Sequence, residues 1–274
     1  MEARLQRRIQ RYGWDLAARV YEPLWQTQLA CAQSALLAQA ALGAGERVLD
    51  VACGTGLVTF EAAKAVGTEG SVLGVDLSDE MIAAARATAQ SRSNVAFRRM
   101  DAESLELPDG GFDAVLCAFG LMYVPDPGCA VREMRRVLKP RGRLAIAVWG
   151  ARARCGWSEV FSIVEAEVAS EVCPLFFRLG EAHALERLCE QAGLTVLAQQ
   201  RLVANLIYAD AGEACRAAFV AGPVALAWSR FDGRARERVC RRYLDAISRW
   251  RQGAGFRVPA EFVIVCAGSS SLCL

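Results

Sequence analysis

The sequence predicts an α/β fold, a doubly wound and mainly parallel sheet, on three observations. Short apolar runs suited to strands alternate with helical stretches from Arg47 to Trp149. The first run, Val48–Val51, passes straight into a glycine turn, A-C-G-T-G at 52–56, and then into a helical stretch. The second run ends at an acid, Asp76, 20 residues after Gly56. Strand, glycine turn, helix, strand and acid is how such sheets hold a nucleoside, with the acid accepting from the ribose hydroxyls. Right-handed crossovers place every ligand loop at the C-terminal ends of the strands.

Residues 1–25 carry Arg4, Arg7, Arg8 and Arg11, then Tyr12, Trp14, Tyr21 and Trp25. Short helices are expected here, broken at Pro23. The arginines suit a solvated face; the four aromatics suit packing onto the core, a lid over a pocket, or both. Gln26–Leu42 reads as an alanine-rich amphipathic helix stopped by Gly43. The core then runs strand Arg47–Val51, helix Leu57–Val66, strand Ser71–Val75 and helix Asp79–Gln90. Ser78 caps that last helix, with Asp79 and Glu80 in the first turn where the dipole favours negative charge. Strands Val95–Arg99 and Ala114–Cys117, helix Pro127–Leu138, a K-P-R-G turn at 139–142 and strand Arg143–Trp149 complete it.

After Gly150 the rhythm changes to helices at Trp157–Val172, Glu181–Ala192 and Asp232–Gln252, with strands at Leu194–Gln200 and Phe262–Ala267. The last helix is basic, and its stripe of Val239, Tyr243, Ala246 and Trp250 leaves the arginines as a wet face, or as a surface for an acidic partner. The predicted organisation is an N-terminal helical lid at 1–42, an α/β core at 43–150, and cap helices plus two final strands at 151–274.

With 274 residues, 54% of them apolar, the chain can bury a large core. A net charge of +2 gives no field for nucleic acid or anionic lipid. No transmembrane run and no signal peptide are read. Eleven cysteines without a C-x-x-C suggest reduced thiols in a cytoplasmic protein. Thiol chemistry on a metalloid would need a pair such as Cys173 and Cys189. With one histidine, His183, no metal site is expected.

D-V-A-C-G-T-G followed by Asp76 resembles the class I S-adenosylmethionine-dependent methyltransferases. More narrowly, it resembles the small-molecule branch that includes the ubiquinone/menaquinone-biosynthesis enzymes. Further segments match in order: V-D-L-S-x-x-M at 75–81, D-A-E at 101–103, F-D-A-V at 112–115, V-P-D-P at 124–127 and V-L-K-P-R-G-R-L at 137–144. The resemblance covers about residues 40–150. It implies a Rossmann-like sheet of order 3-2-1-4-5-7-6 with the last strand antiparallel, and S-adenosylmethionine as cofactor, leaving as S-adenosylhomocysteine.

The cofactor's parts divide among these residues. Asp76 is placed for the ribose, and Asp101 and Ala102 match the family's adenine positions. Ala52, Gly54 and Gly56, with Asp50, suit the methionine end. Leu77 and Met81 suit the adenine faces, although each is equally at home in a core. Cys117, Ala118 and Phe119 offer an apolar wall near the sulfonium. Methyl transfer needs alignment and dryness more than covalent help. Catalytic residues stay unassigned; Tyr123, Tyr21 and Tyr12 are candidate bases, with Glu103 and His183 behind them. The methyl acceptor is a small molecule, whether at oxygen, nitrogen or carbon, and the oligomeric state is open, a homodimer included.

Three other readings compete. A nicotinamide oxidoreductase wants a glycine where Thr59 stands and a Y-x-x-x-K motif, which is missing. A nucleic-acid methyltransferase wants D/N-P-P-Y/F where C-A-F-G stands at 117–120. A non-catalytic nucleoside-binding protein would have no need of every acid in place.

Overall fold

The structure is a computed structural model that describes residues 3–89, 92–168 and 176–269. Helix α1, Ala3–Ala40, opens the chain as one uninterrupted element containing Pro23. The expected break is therefore absent. A proline inside a helix costs about 3 kcal/mol. Trp25, Leu29, Ala32, Leu36 and Ala40, each at most 4% exposed, offset it by burying the helix's second half in the core.

Strand β1 (Arg47–Val51), helix α2 (Leu57–Val66), strand β2 (Ser71–Asp76), helix α3 (Asp79–Ala89) and strand β3 (Val95–Arg99) follow as expected. Strand β4 is Phe112–Ala118, helix α4 is Pro127–Val137, and strand β5 is Leu138–Trp149. The K-P-R-G stretch is not a free turn. It lies within β5 as an irregularity, with the register slipping between Phe112 and Ala114 and Arg141 at φ 68°. Asp126 caps α4, its side chain accepting from the Cys129 N–H, and Pro127 fills the first position.

The rest of the chain departs more from expectation. Helix α5 (Glu159–Val168) begins two residues later than read, helix α6 (Ala184–Gln191) is shorter than read, and strand β6 runs from Leu194 to Tyr208. Two helices not foreseen, α7 (Ala211–Cys215) and α8 (Ala225–Arg230), flank a π-helical turn at Arg216–Val220. Helix α9 (Gly233–Ile247) stops early, and its buried stripe is Ala235, Val239, Tyr243 and Ile247. Its arginines face outward: Arg238 pairs with Glu167, and Arg236 lies over Trp228. A two-residue strand β7 (Arg251–Gln252) and the long strand β8 (Gly255–Ser269) are the last described elements. Gln90, the end of the Trp157–Val172 helix, and Cys173 lie outside the described residues.

The sheet order is β3-β2-β1-β4-β5-β8-β6, with β7 pairing only β8. Without that short strand this is the 3-2-1-4-5-7-6 order expected. Strands β1 to β5 pair in parallel, and β8 runs antiparallel to both β5 and β6. No helix among the described residues is long and apolar enough to cross a membrane. The nine described cysteines are free.

Candidate functional site

All five parallel strands end on one cavity. Val51 and Ala52 at the end of β1, Val75 and Asp76 on β2, Met100 and Asp101 after β3, Ala118 and Phe119 at the end of β4, and Trp149 on β5 all line it. With its mouth included it holds about 1030 Å³ of empty space. Helix α1 closes it from above with Arg7, Gln10, Trp14, Tyr21, Trp25 and Leu29. The remaining walls come from Trp157 and from Ala221–Pro223, beyond the π-helical turn.

The glycine turn is tied to the acid across the strand ends. Asp76 Oδ2 accepts from the Gly54 N–H at 2.9 Å, and Oδ1 accepts from the Ser78 N–H at 2.8 Å. A carboxylate has about four acceptor positions, so capacity remains for hydroxyl donors. Burial raises the Asp76 pKa, with the backbone N–H groups of Ser78, Gly54 and Leu77 opposing. Three successive odd positions of the turn, Ala52, Gly54 and Gly56, have φ of 57°, 55° and 91°. Only glycine takes this region without penalty, so Ala52 is held there under strain. Phe119 is also left-handed, at φ 63°. Two strained residues thus stand at the tips of neighbouring strands, both facing the cavity. Gly56 precedes α2 as its N-cap and gives it no side-chain cap, and the buried Thr55 hydroxyl beside it has no partner.

Of the residues named from sequence, Ala52, Gly54, Asp76, Leu77, Met81, Asp101, Ala102, Ala118 and Phe119 border this cavity. Asp50, Gly56 and Cys117 sit behind it. Asp50 is fully buried on β1, where its Oδ2 accepts from Thr59 Oγ1 at 2.6 Å. It fastens α2 to the strand beneath the turn. Thr59, which stands where a third glycine was sought, is its partner. Gly56 turns the chain into α2, where a Cβ would come within 2.9 Å of the Phe60 ring. Cys117 is 1% exposed, its thiol pushed up to about 12 by burial.

Burial also pushes Asp50 up to about 7 from an ordinary 3.8. The folded protein therefore holds a proton that the unfolded chain releases at lower pH. Asp50's contribution to stability is full below the ordinary value and is lost as pH rises through about 7. Thermal melts from pH 5 to 8 should show Tm falling, with a shallower fall in Asp50→Asn.

The candidate bases separate clearly. Tyr21 lines the cavity, and burial raises its hydroxyl, with Asp76 adding to the rise. It stays a donor at neutral pH. Tyr123 lines the mouth and packs edge-on against Trp14 at 5.1 Å. Tyr12 is 48% exposed on the outer face of α1, away from the cavity. His183 is exposed and pairs with Glu186 at 2.9 Å, and Glu103 is spent on Arg7 and the Asp126 N–H. Among the described residues no group of three or more His, Cys, Asp or Glu could hold a metal.

Sequence reasoning missed Trp149, Trp157 and the 221–223 segment. The tryptophans carry no local signal; only the fold brings them against α1. Of the four N-terminal aromatics, Trp14, Tyr21 and Trp25 line the cavity, Trp25 is also part of the core, and Tyr12 is on neither.

Residues 48–142 match the family described as a methyltransferase domain. The chain is similar to the ubiquinone/menaquinone biosynthesis C-methyltransferase UbiE of Cellvibrio japonicus, 42% identical over 105 residues, which is 37% of this chain and 42% of that one. It is also similar to the demethylmenaquinone methyltransferase of Staphylococcus aureus, 45% identical over 98 residues, 36% of this chain and 41% of that one. The matched stretch is thus less than half the length of either relative. In fold it is similar to the YcgJ protein of Bacillus subtilis, with TM-score 0.63 and 20% identity over 88% of this chain and 99% of that one.

Proposed function

We propose that this protein is a cytoplasmic S-adenosylmethionine-dependent methyltransferase acting on a small, uncharged acceptor. One observation carries the reading. Asp76, clasping the Gly54 N–H, opens into the same cavity that continues past Phe119 to the indoles of Trp25, Trp149 and Trp157. A polar adenosine end and a dry aromatic end share one space.

The residues fit the cofactor. Asp76 retains acceptor capacity for the ribose diol. Asp101 and Ala102 flank the adenine edge, and Leu77 and Met81 border its faces. The turn's N–H groups and the uncapped start of α2 suit the methionine carboxylate. When bound, the cofactor supplies an electrophilic methyl group on a good leaving group. The chain's part is to align the acceptor and exclude water, which is where most of the rate arises. The acceptor is read as uncharged because Arg7 is the one cation lining the described cavity, and it is held at 2.9 Å by Asp101 and 2.8 Å by Glu103.

Calorimetric titration with S-adenosylhomocysteine, with NAD in parallel, tests the reading. Saturable binding of S-adenosylhomocysteine alone supports it, and saturable binding of NAD alone refutes it. Label transferred from S-adenosylmethionine to an uncharged aromatic acceptor then separates an enzyme from a mere nucleoside binder.

Helix α1 is latched over the cofactor loops. Besides the Arg7 pairs, Arg11 meets Asp79 at 2.6 Å, and the Ser78 hydroxyl donates to Asp15 at 2.6 Å. Partly exposed ion pairs are worth about 0.2–1 kcal/mol each. Arg7→Ala should therefore speed S-adenosylhomocysteine release about two- to fivefold, read by stopped-flow tryptophan fluorescence. Added salt should speed release in the parent and do less in the variant.

A further inference from the structure

Three indoles meet at the dry end of the cavity. Trp149 and Trp157 have ring centroids 4.7 Å apart, and Trp25 lies 6.0 Å from the first and 6.1 Å from the second. They arrive from distant parts of the chain: the middle of α1, the end of β5 and the 3-10 turn Gly156–Ser158. Trp25 is 4% exposed and Trp157 1%. In both, the indole Nε1 is buried and has no hydrogen-bond partner.

An indole N–H is a donor only. Leaving one buried without an acceptor costs about 1–3 kcal/mol, so native structures rarely leave two side by side. Phenylalanine would fill such a wall without that cost. Nearby Phe119, Phe176 and Phe177 do so, packing on Trp149 or Trp157 with centroids 5.6–5.8 Å apart. Two buried donors with no acceptor, on residues that line a cavity read as a substrate site, match a ligand that brings the acceptor with it.

We propose that Trp25 and Trp157 are specificity-determining residues that hold, through their indole N–H groups, a carbonyl-type oxygen on a flat, uncharged methyl acceptor. The aromatic faces grip the ring system and the two N–H groups fix its rotation. Neutral donors suit a neutral or delocalised oxygen; a carboxylate or phosphate would want a free cation, and Arg7 is engaged. A site built to hydrogen-bond an oxygen discriminates strongly against the analogue lacking it. The inference rests on the reading of this cavity as a methyltransferase site.

The test uses 1-indanone and indane, of the same shape and differing by one carbonyl oxygen, on protein saturated with S-adenosylhomocysteine. In the parent, 1-indanone should bind about tenfold more tightly, the worth of one to two net hydrogen bonds. In ¹⁵N-tryptophan-labelled protein the Trp25 and Trp157 indole N–H resonances should move downfield with 1-indanone and stay in place with indane. In W25F and W157F the preference should shrink, and in the double variant fall within twofold of unity. Should the phenylalanine variants not fold, benzothienylalanine at either position keeps the ring and removes the N–H. Equal binding of the two probes by the parent overturns the proposal. So does a preference that survives loss of both N–H groups, or failure of both probes to bind. If S-adenosylhomocysteine itself does not bind, it is the methyltransferase reading that falls, and this inference with it.

Discussion

Asp76→Ala is expected to lower affinity for S-adenosylhomocysteine about 10- to 100-fold, the worth of hydrogen bonds to a charged acceptor, about 1–3 kcal/mol. Two losses combine. The ribose loses its acceptor, and the Gly54 and Ser78 N–H groups lose theirs, freeing the turn from the tip of β2. Stability at neutral pH should fall only modestly, because relief of a carboxylate that burial disfavours offsets part of the cost of two N–H groups left without an acceptor. Calorimetry beside a thermal melt separates the two effects: affinity should collapse while Tm falls far less than in a core variant. The pH dependence adds a signature. Hydroxyl donors favour the ionised carboxylate, whose pKa is raised in the free protein. Binding should therefore release a proton, and affinity should rise with pH through the acid range. In Asp76→Ala that contribution should vanish. Affinity equal to the parent's would remove Asp76 from the site.

How much of this was legible follows the punctuation of the chain. Helix α2 has the ends expected of it because Gly56 and Gly67 mark its limits. The order of the sheet and the acid at the tip of β2 follow from the alternation and from the resemblance of residues 40–150. Helix α1 was misread because a local rule about Pro23 was opposed by burial of Trp25 and Leu29, which depends on strands far away in the sequence. Strands β6 and β8 reach well beyond the runs read for them. From Phe256 to Ala267 most of β8 is buried regardless of side, so no alternation announces its length. The site divides in the same way. The end proposed for the cofactor is written in contiguous motifs, whereas the aromatic end is assembled from α1, β5 and the turn at Trp157. Asp50 lies beneath the turn and not on the cavity wall, because Thr59 holds its Oδ2 inside the core, and no local motif announces that contact.

Gly120→Ala should be among the most damaging single changes in the molecule, and its origin is steric alone. Gly120 has φ −89° and ψ −37°, which alanine adopts freely. A Cβ there, however, would stand 2.2 Å from the Cβ of Ala52. Neither atom belongs to a flexible side chain, so relief requires the β1 turn and the β4 loop to move apart. Overpacking of this kind costs about 3 kcal/mol or more, a fall in Tm on the order of 10 °C for a chain of this size. Cofactor affinity should fall with it, because the displaced turn carries the Gly54 N–H that Asp76 holds. The compensating change lies across the contact. Ala52→Gly removes the opposing methyl and relaxes a residue held at φ 57°. The double variant Ala52→Gly/Gly120→Ala should recover most of the lost Tm and binding, a coupling expected only of groups in direct contact. Additive losses in the double variant would mean that the turn and the loop do not meet as described.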